Sequence, residues 1–214
     1  MNTSLGCNVN FGPADLSASM IESAKVLLLE GYLFDKPHSK EAFRAAVKIA
    51  KAAGVEVALT LSAEFCVNFH RADFLQLLKD GVDILFANEE EIKALYQVDS
   101  FEEAARQVDA HCKVAVLTKG ADGAHIRMKG ETVQVAAEPG VKVIDTTGAG
   151  DAYAGGFLYG YTRGLDAATS GRIASICAAE VISHFGARPE VNLGELIKGR
   201  IGEKTGCGCA CKCA

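Results

Sequence analysis

The chain has 214 residues, 49% hydrophobic and 23% charged, with 4 Pro against 22 Gly, a balance that predicts one packed globular domain and excludes collagen-like, repeat and disordered classes. Lys and Arg number 22 against 27 Asp and Glu, a net charge of −5; with no long basic run, neither nucleic acid nor a membrane surface is an expected partner. No apolar stretch approaches the ~18 residues of a membrane span, and residues 1–10 lack the charged and apolar regions of a signal peptide, so the expected compartment is the cytoplasm.

Val26, Leu27, Leu28 and Leu29, stopping at Gly31, read as a buried strand. Residues 40–53 set Phe43, Val47, Ile49 and Ala50 among Lys, Glu and Arg, a helical pattern that Gly54 ends. Residues 55–61 predict a second strand, 72–78 a short helix and 82–87 a third strand, which gives way at Asn88 to an acidic helix start at Glu89, Glu90 and Glu91. Ser100 before Phe101, Glu102 and Glu103 opens a helix running to about residue 110, and residues 114–117 make a fourth strand. This alternation predicts an α/β fold, a mostly parallel sheet flanked by helices on both faces. Residues 124–128 and 131–136, joined at Lys129 and Gly130, form an antiparallel edge hairpin. Helices at 149–164 and 167 to about 184, with a short one at 193–197, complete the body. Tyr153, Phe157 and Tyr161 recur at helical spacing as a core stripe rather than a base-stacking platform.

The densest chemical signal is Asp145, Thr146, Thr147, Gly148, Ala149, Gly150 and Asp151, where an extended segment meets a helix. Small residues let the backbone approach a ligand, and the first N–H groups of a helix lack intrahelical partners, so Gly148, Ala149 and Gly150 suit an anion such as a phosphate. Asp151, in the first helical turn beside that site, is placed to accept a proton from an attacking hydroxyl. A plain reading stands beside this one: helix dipoles favour an Asp there, and glycines at such a turn need no ligand. The dinucleotide pattern G-x-G-x-x-G fails because Tyr153 occupies the third glycine position, and no P-loop ending G-K-[ST] occurs.

Residues 145–153 resemble the C-terminal signature of the ribokinase-like carbohydrate and nucleoside kinases, the PfkB family, with Tyr153 at a position commonly Phe. Two further elements follow the family's order: Asn88 to Glu91 looks like its N-x-x-E motif, and Thr118 to Gly123 like its T-x-G-x-x-G nucleotide loop. The resemblance covers about residues 1–200 and implies a ribokinase-like fold and transfer of the γ-phosphoryl of ATP to a sugar or nucleoside hydroxyl. It implies Asp151 as the base and Gly148, Ala149 and Gly150 as the anion hole. Glu91, with Asn88, would organise Mg²⁺ through water. Thr118, Gly120 and Gly123 would line the nucleotide's phosphate and ribose end, while Ala178, Ala179 and Ile182 are candidates for the adenine wall. Asp145 would sit near a monovalent cation, K⁺. The bland alternatives are an N-cap with its capping-box partner for Asn88 and Glu91, a strand-end turn for Thr118 to Gly123, and helix packing for Ala178, Ala179 and Ile182. Residues 30–35 and 185–189 most resemble the adenosine-kinase-like branch, which favours a nucleoside acceptor.

The family's N-terminal Gly-Gly segment, lid sheet and part of its main sheet have no counterpart here, since the only Gly-Gly pair is Gly155 and Gly156, inside a predicted helix. The expectation is therefore an N-terminally truncated kinase domain over residues 1–205, with Met1 an internal position of a longer ancestor. Its exposed strand edge invites homodimerisation. A nucleotide-binding module without kinase activity is the rival reading. Cys7, Cys66, Cys112 and Cys177 lie in hydrophobic segments and read as packing. Cys207, Cys209, Cys211 and Cys213 place a thiol at every second residue of a tail, 206–214, expected to be disordered; this spacing suits zinc poorly, and soft ions such as Cu(I) are its only metal candidates.

Overall fold

Residues 6–202, those that the computed structural model describes, contain six strands and eight α-helices. They run in the order α1 (Ala18–Glu22), β1 (Val26–Glu30), α2 (Pro37–Ala52), β2 (Glu56–Thr60), α3 (Glu64–Gly81), β3 (Ile84–Asn88), α4 (Glu89–Tyr96), α5 (Phe101–Val108), β4 (Val114–Thr118), β5 (Ala124–Met128), β6 (Glu131–Val135), α6 (Ala149–Tyr161), α7 (Ala167–Val181) and α8 (Leu193–Ile201). The Cys207 to Cys213 tail lies outside the described residues. The chain divides into two compact units, residues 1–133 and 134–214.

The six strands form one sheet in chain order, β1 to β4 parallel and β5 antiparallel to β4. The register pairs Glu30 with Thr60 and Asn88 with Thr118, so the carboxyl ends of the parallel strands lie along one edge of the sheet. In open α/β sheets that edge is where ligands bind. Within the first unit, Val57, Leu59, Leu85, Ala87, Ala115 and Leu117 pack against Phe43, Val47, Phe74, Leu78, Ile92, Leu95 and Ala104 of α2 to α5. The alternate strand residues Ala58, Ile84, Phe86, Val114 and Val116 are buried too, which is why these strands read as unbroken apolar runs.

At the amino ends of the strands, Asp83 is only 4% exposed. It accepts the Val57 N–H at 3.0 Å, Lys51 Nζ at 2.8 Å and Lys113 Nζ at 2.8 Å. Burial alone would raise its pKa, but the bonds from Lys113, Lys51 and Val57 outweigh it and hold the carboxyl below its ordinary value.

The helix expected at 72–78 is the later part of α3, which begins at Glu64 and has a non-helical break at His70 (φ −125°, ψ 21°). The apolar stripe Cys66, Val67, Phe74, Leu77, Leu78 is interrupted in sequence by His70 and Arg71. Both are half-buried with their polar ends satisfied, His70 beside Asp35 and Lys40, and Arg71 donating to the Leu95 carbonyl at 2.7 Å. Sequence periodicity therefore caught only the uninterrupted part. In the second unit α6 and α7 cross closely: a Cβ on Gly156 would stand 2.8 Å from Ala174 Cα, and one on Gly160 2.7 Å from Ser170 Oγ. Tyr153 and Phe157 are buried and Tyr161 stacks beside Phe157, a core stripe as expected.

Candidate functional site

The expected site residues fall into two sets, one in each unit. In the second unit, residues 137–148 contain no strand, so the extended approach to α6 is held by other bonds. Ile144 N–H donates to the Ile182 carbonyl at 2.8 Å. Asp145 accepts the Thr147 N–H at 2.9 Å on one oxygen and the Gly186 N–H at 3.1 Å on the other. The Thr147 bonds, then that of Gly186, hold its carboxyl below the usual range. Asp145 thus braces the glycine turn against residues beyond α7.

Gly148 caps α6 in the left-handed region (φ 80°), and a Cβ there would lie 2.8 Å from the Ala187 side chain. Both facts demand glycine at this position. Ala149 N–H turns back to the Thr146 carbonyl at 3.1 Å. The N–H groups of Gly150 and Asp151, the next two of the helix, have no acceptor among the described residues. Nothing lies within 4 Å of where a Gly150 Cβ would be, and the Asp151 side chain is exposed. The turn therefore offers open N–H groups beside an open carboxylate, which suits an anion and a proton acceptor side by side.

Ala179, on α7, lines a cavity of about 290 Å³ with Pro139, Val141, Lys142, Ile176 and Glu180. Ala178 and Ile182 are not in its wall; Ile182 instead caps α7 and holds Ile144 through its carbonyl. Glu138 at the cavity's rim has a side chain only 4% exposed and pairs with Arg172 at 2.7 Å and Arg200 at 3.3 Å.

In the first unit, Asn88 and Thr118 are register partners at the carboxyl ends of β3 and β4. Asn88 caps α4: its Oδ1 accepts the Glu91 N–H at 2.8 Å, its own N–H donates to Glu91 Oε2 at 2.9 Å, and its Nδ2 donates to Glu91 Oε1 at 2.8 Å. The capping box is complete. Glu91 is 5% exposed, and burial pushes its pKa up to about 7, against a smaller opposite pull from the Asn88 N–H. After Thr118 the chain turns through Gly120 (φ 56°) and Gly123 (φ 86°), closed by Lys119 N–H to the Gly123 carbonyl at 2.7 Å. Lys119 Nζ lies 4.5 Å from the centre of the Phe101 ring. The contributions of Gly186, Ala187 and Phe101 were not read from sequence. Their contacts span 18 to 41 residues, a separation that no local pattern encodes.

No helix among the described residues is long and apolar enough to cross a membrane. The fold is similar to that of a "probable sugar kinase protein" from Rhizobium etli, 44% identical with a TM-score of 0.86, over 89% of this chain and 58% of that one. It is equally similar to adenosine kinase from Sinorhizobium meliloti, 41% identical with a TM-score of 0.86, over 89% of this chain and 59% of that one. Among curated proteins, 5-dehydro-2-deoxygluconokinase of Shouchella clausii is 32% identical over 178 residues, 80% of this chain and 54% of that protein. The chain spans about half the length of the curated relatives it matches. The model of the pfkB family carbohydrate kinases matches residues 1–192. With its ribokinase-like sheet and the glycine turn at the start of α6, the chain belongs to the PfkB family of carbohydrate kinases.

Proposed function

We propose that this chain carries the nucleotide-binding and phosphotransfer half of an ATP-dependent sugar or nucleoside kinase. The observation that carries this reading is the start of α6, where open Gly150 and Asp151 N–H groups stand next to the exposed Asp151 carboxylate in a chain of this family. Asp151 takes the proton from an acceptor hydroxyl as its oxygen bonds to the γ-phosphorus. The bond from that phosphorus to the bridging oxygen breaks, and ADP leaves with the bond's electron pair. The open N–H groups meet the charge that gathers on the transferred group. Thr118, Gly120 and Gly123 serve the phosphate and ribose end of ATP, and the cavity beside Ala179 serves its base. Similarity to the Sinorhizobium meliloti adenosine kinase favours a nucleoside acceptor.

Glu91 and Asn88 offer oxygen donors of the kind Mg²⁺ prefers. Both Glu91 oxygens are already hydrogen-bonded to Asn88, so the pair fits an outer-sphere role, acting through water. Mg²⁺ bound with ATP neutralises phosphate charge. Both Asp145 oxygens accept N–H groups, which fits bracing of the turn, and no step here passes through K⁺.

Asp151→Asn is the direct test, because it removes the base and keeps the turn. ADP release should fall by about a hundredfold or more while the affinity for an ATP analogue stays within about twofold. Normal turnover in that variant would refute the mechanism. A second reading, a nucleotide-binding module without transfer, predicts analogue binding with no ADP release on any acceptor.

A further inference from the structure

Two carboxylates of the second unit have almost fully buried side chains, and they are paired differently. Glu138 is held by Arg172 and Arg200. Glu180, in the last turn of α7 with a side chain 9% exposed, has no Lys or Arg partner among the described residues. Its cation is His184, whose Nε2 lies 3.3 Å from Glu180 Oε1. A buried carboxylate needs a positive partner, and a histidine is one only while both ring nitrogens carry hydrogen.

The ring is arranged to carry both. Nδ1 lies 3.3 Å from the Phe185 carbonyl oxygen, which can only accept, so Nδ1 bears a hydrogen. Nε2 faces the Glu180 carboxylate and has no other polar partner among the described residues; a bare nitrogen there would set its lone pair against a negative charge. The ionisable groups around the ring are all acidic: Glu180 on its own helix, Glu190 at 3.8 Å on the following loop, and Asp145 before α6, which attracts it without an ion pair between them. The Phe185 carbonyl most strongly, then Glu180 and Glu190, hold the imidazole's pKa above its ordinary 6.5 against the opposing effect of desolvation.

What the pair holds is the loop behind the glycine turn. Glu180 Oε1 also accepts the Glu190 N–H at 2.9 Å, so one carboxylate gathers both ends of residues 184–190. Between those ends Gly186 N–H donates to Asp145 at 3.1 Å, and Ala187 occupies the space where Gly148 has no room for a Cβ. The loop that braces the turn is thus closed by an ion pair whose cation can lose its charge.

We infer that His184 is a positioning residue for the nucleotide turn: its imidazolium, paired with Glu180, fixes residues 185–190 so that Gly186 and Ala187 hold the start of α6 in place. The inference rests on the kinase reading above. When His184 loses its proton, attraction to Glu180 becomes repulsion and the loop loosens behind the turn. The stability that the pair contributes is fully present below about pH 6.5 and is lost as the pH rises through the higher folded value.

The test compares the parent, His184→Gln and Glu180→Gln across the pH range in which histidine titrates. It measures affinity for an ATP analogue with Mg²⁺ by calorimetry, kcat by ADP release with adenosine, and the His184 ring proton by NMR. The nucleotide's own protonation is common to all three chains and cancels in the comparison. Positioning predicts that the parent's affinity, relative to that of His184→Gln, falls about tenfold as His184 deprotonates, the loss expected for one bond between charged groups, with kcat following the same course. In Glu180→Gln the NMR titration and the fall in affinity should move together to lower pH, a coupling that a merely structural contact would not show; this variant keeps the test open where His184→Gln does not fold. A ratio of parent to His184→Gln affinity that does not change with pH, or a Glu180→Gln fall that stays where the parent's lies, would overturn the inference and leave the kinase reading intact. Failure of the parent to bind the analogue at any pH would overturn the kinase reading, and this inference with it.

Discussion

Gly148 is the residue on which the candidate site turns, because its left-handed backbone lets α6 begin where it does and the Ala187 side chain leaves no room for a Cβ. Gly148→Ala should cost about 1–3 kcal/mol of stability from the strained φ and the clash together, read as a lowered denaturant midpoint. Analogue affinity should fall with it; a variant that binds normally would detach the turn from the nucleotide. Sequence made Gly148, Gly150 and Asp151 legible because a dense run of small residues before an Asp has few uses. The brace behind them was not legible: Asp145 meets Gly186 across 41 residues. The dual nature of Asn88 and Glu91 was only half legible. Their three-residue spacing fits a capping box and the family motif alike, and the structure forms the box in full.

At the scale of elements, the α6–α7 pair separates two adjacent glycines by what surrounds them. A Cβ on Gly156 would meet Ala174 at 2.8 Å and Cys177 at 3.0 Å, whereas one on Gly155 would have nothing within 4 Å. Gly156→Val should therefore destabilise by about 1–3 kcal/mol through overpacking. Gly155→Ala should stabilise by about 0.5–1 kcal/mol through helix propensity. Thermal or denaturant melts of the two variants check this, and equal effects would contradict the packing described for this helix pair. The strands and the edge hairpin were readable because apolar runs bounded by Gly and Asn have one simple solution. The early part of α3 was not, because His70 and Arg71 occupy its buried stripe with polar atoms that distant partners satisfy.

For the whole molecule, the sheet's two ends have different work. At the amino ends, Asp83 is a buried anchor for Lys51, Lys113 and the β2 backbone. Its folded pKa lies below the ordinary 3.8, so the stability it contributes is fully present above about pH 4 and is lost as the pH falls further, through the lower folded value. Asp83→Asn should cost about 1–3 kcal/mol at neutral pH and flatten the acid limb of a pH–stability curve; an unaltered acid limb would contradict the anchor. The carboxyl ends gather Glu30, Asn88 and Thr118, while the glycine turn belongs to the second unit. The mostly parallel sheet was legible because its strands alternate with helices, whereas the register that lines these three residues along one edge belongs to the structure. The measurement closest to the central claim is ADP release by the purified chain given ATP, Mg²⁺ and adenosine, run beside Asp151→Asn. The account predicts release in the parent and its near-complete loss in the variant; equal release in both, or release that needs no acceptor, would contradict it.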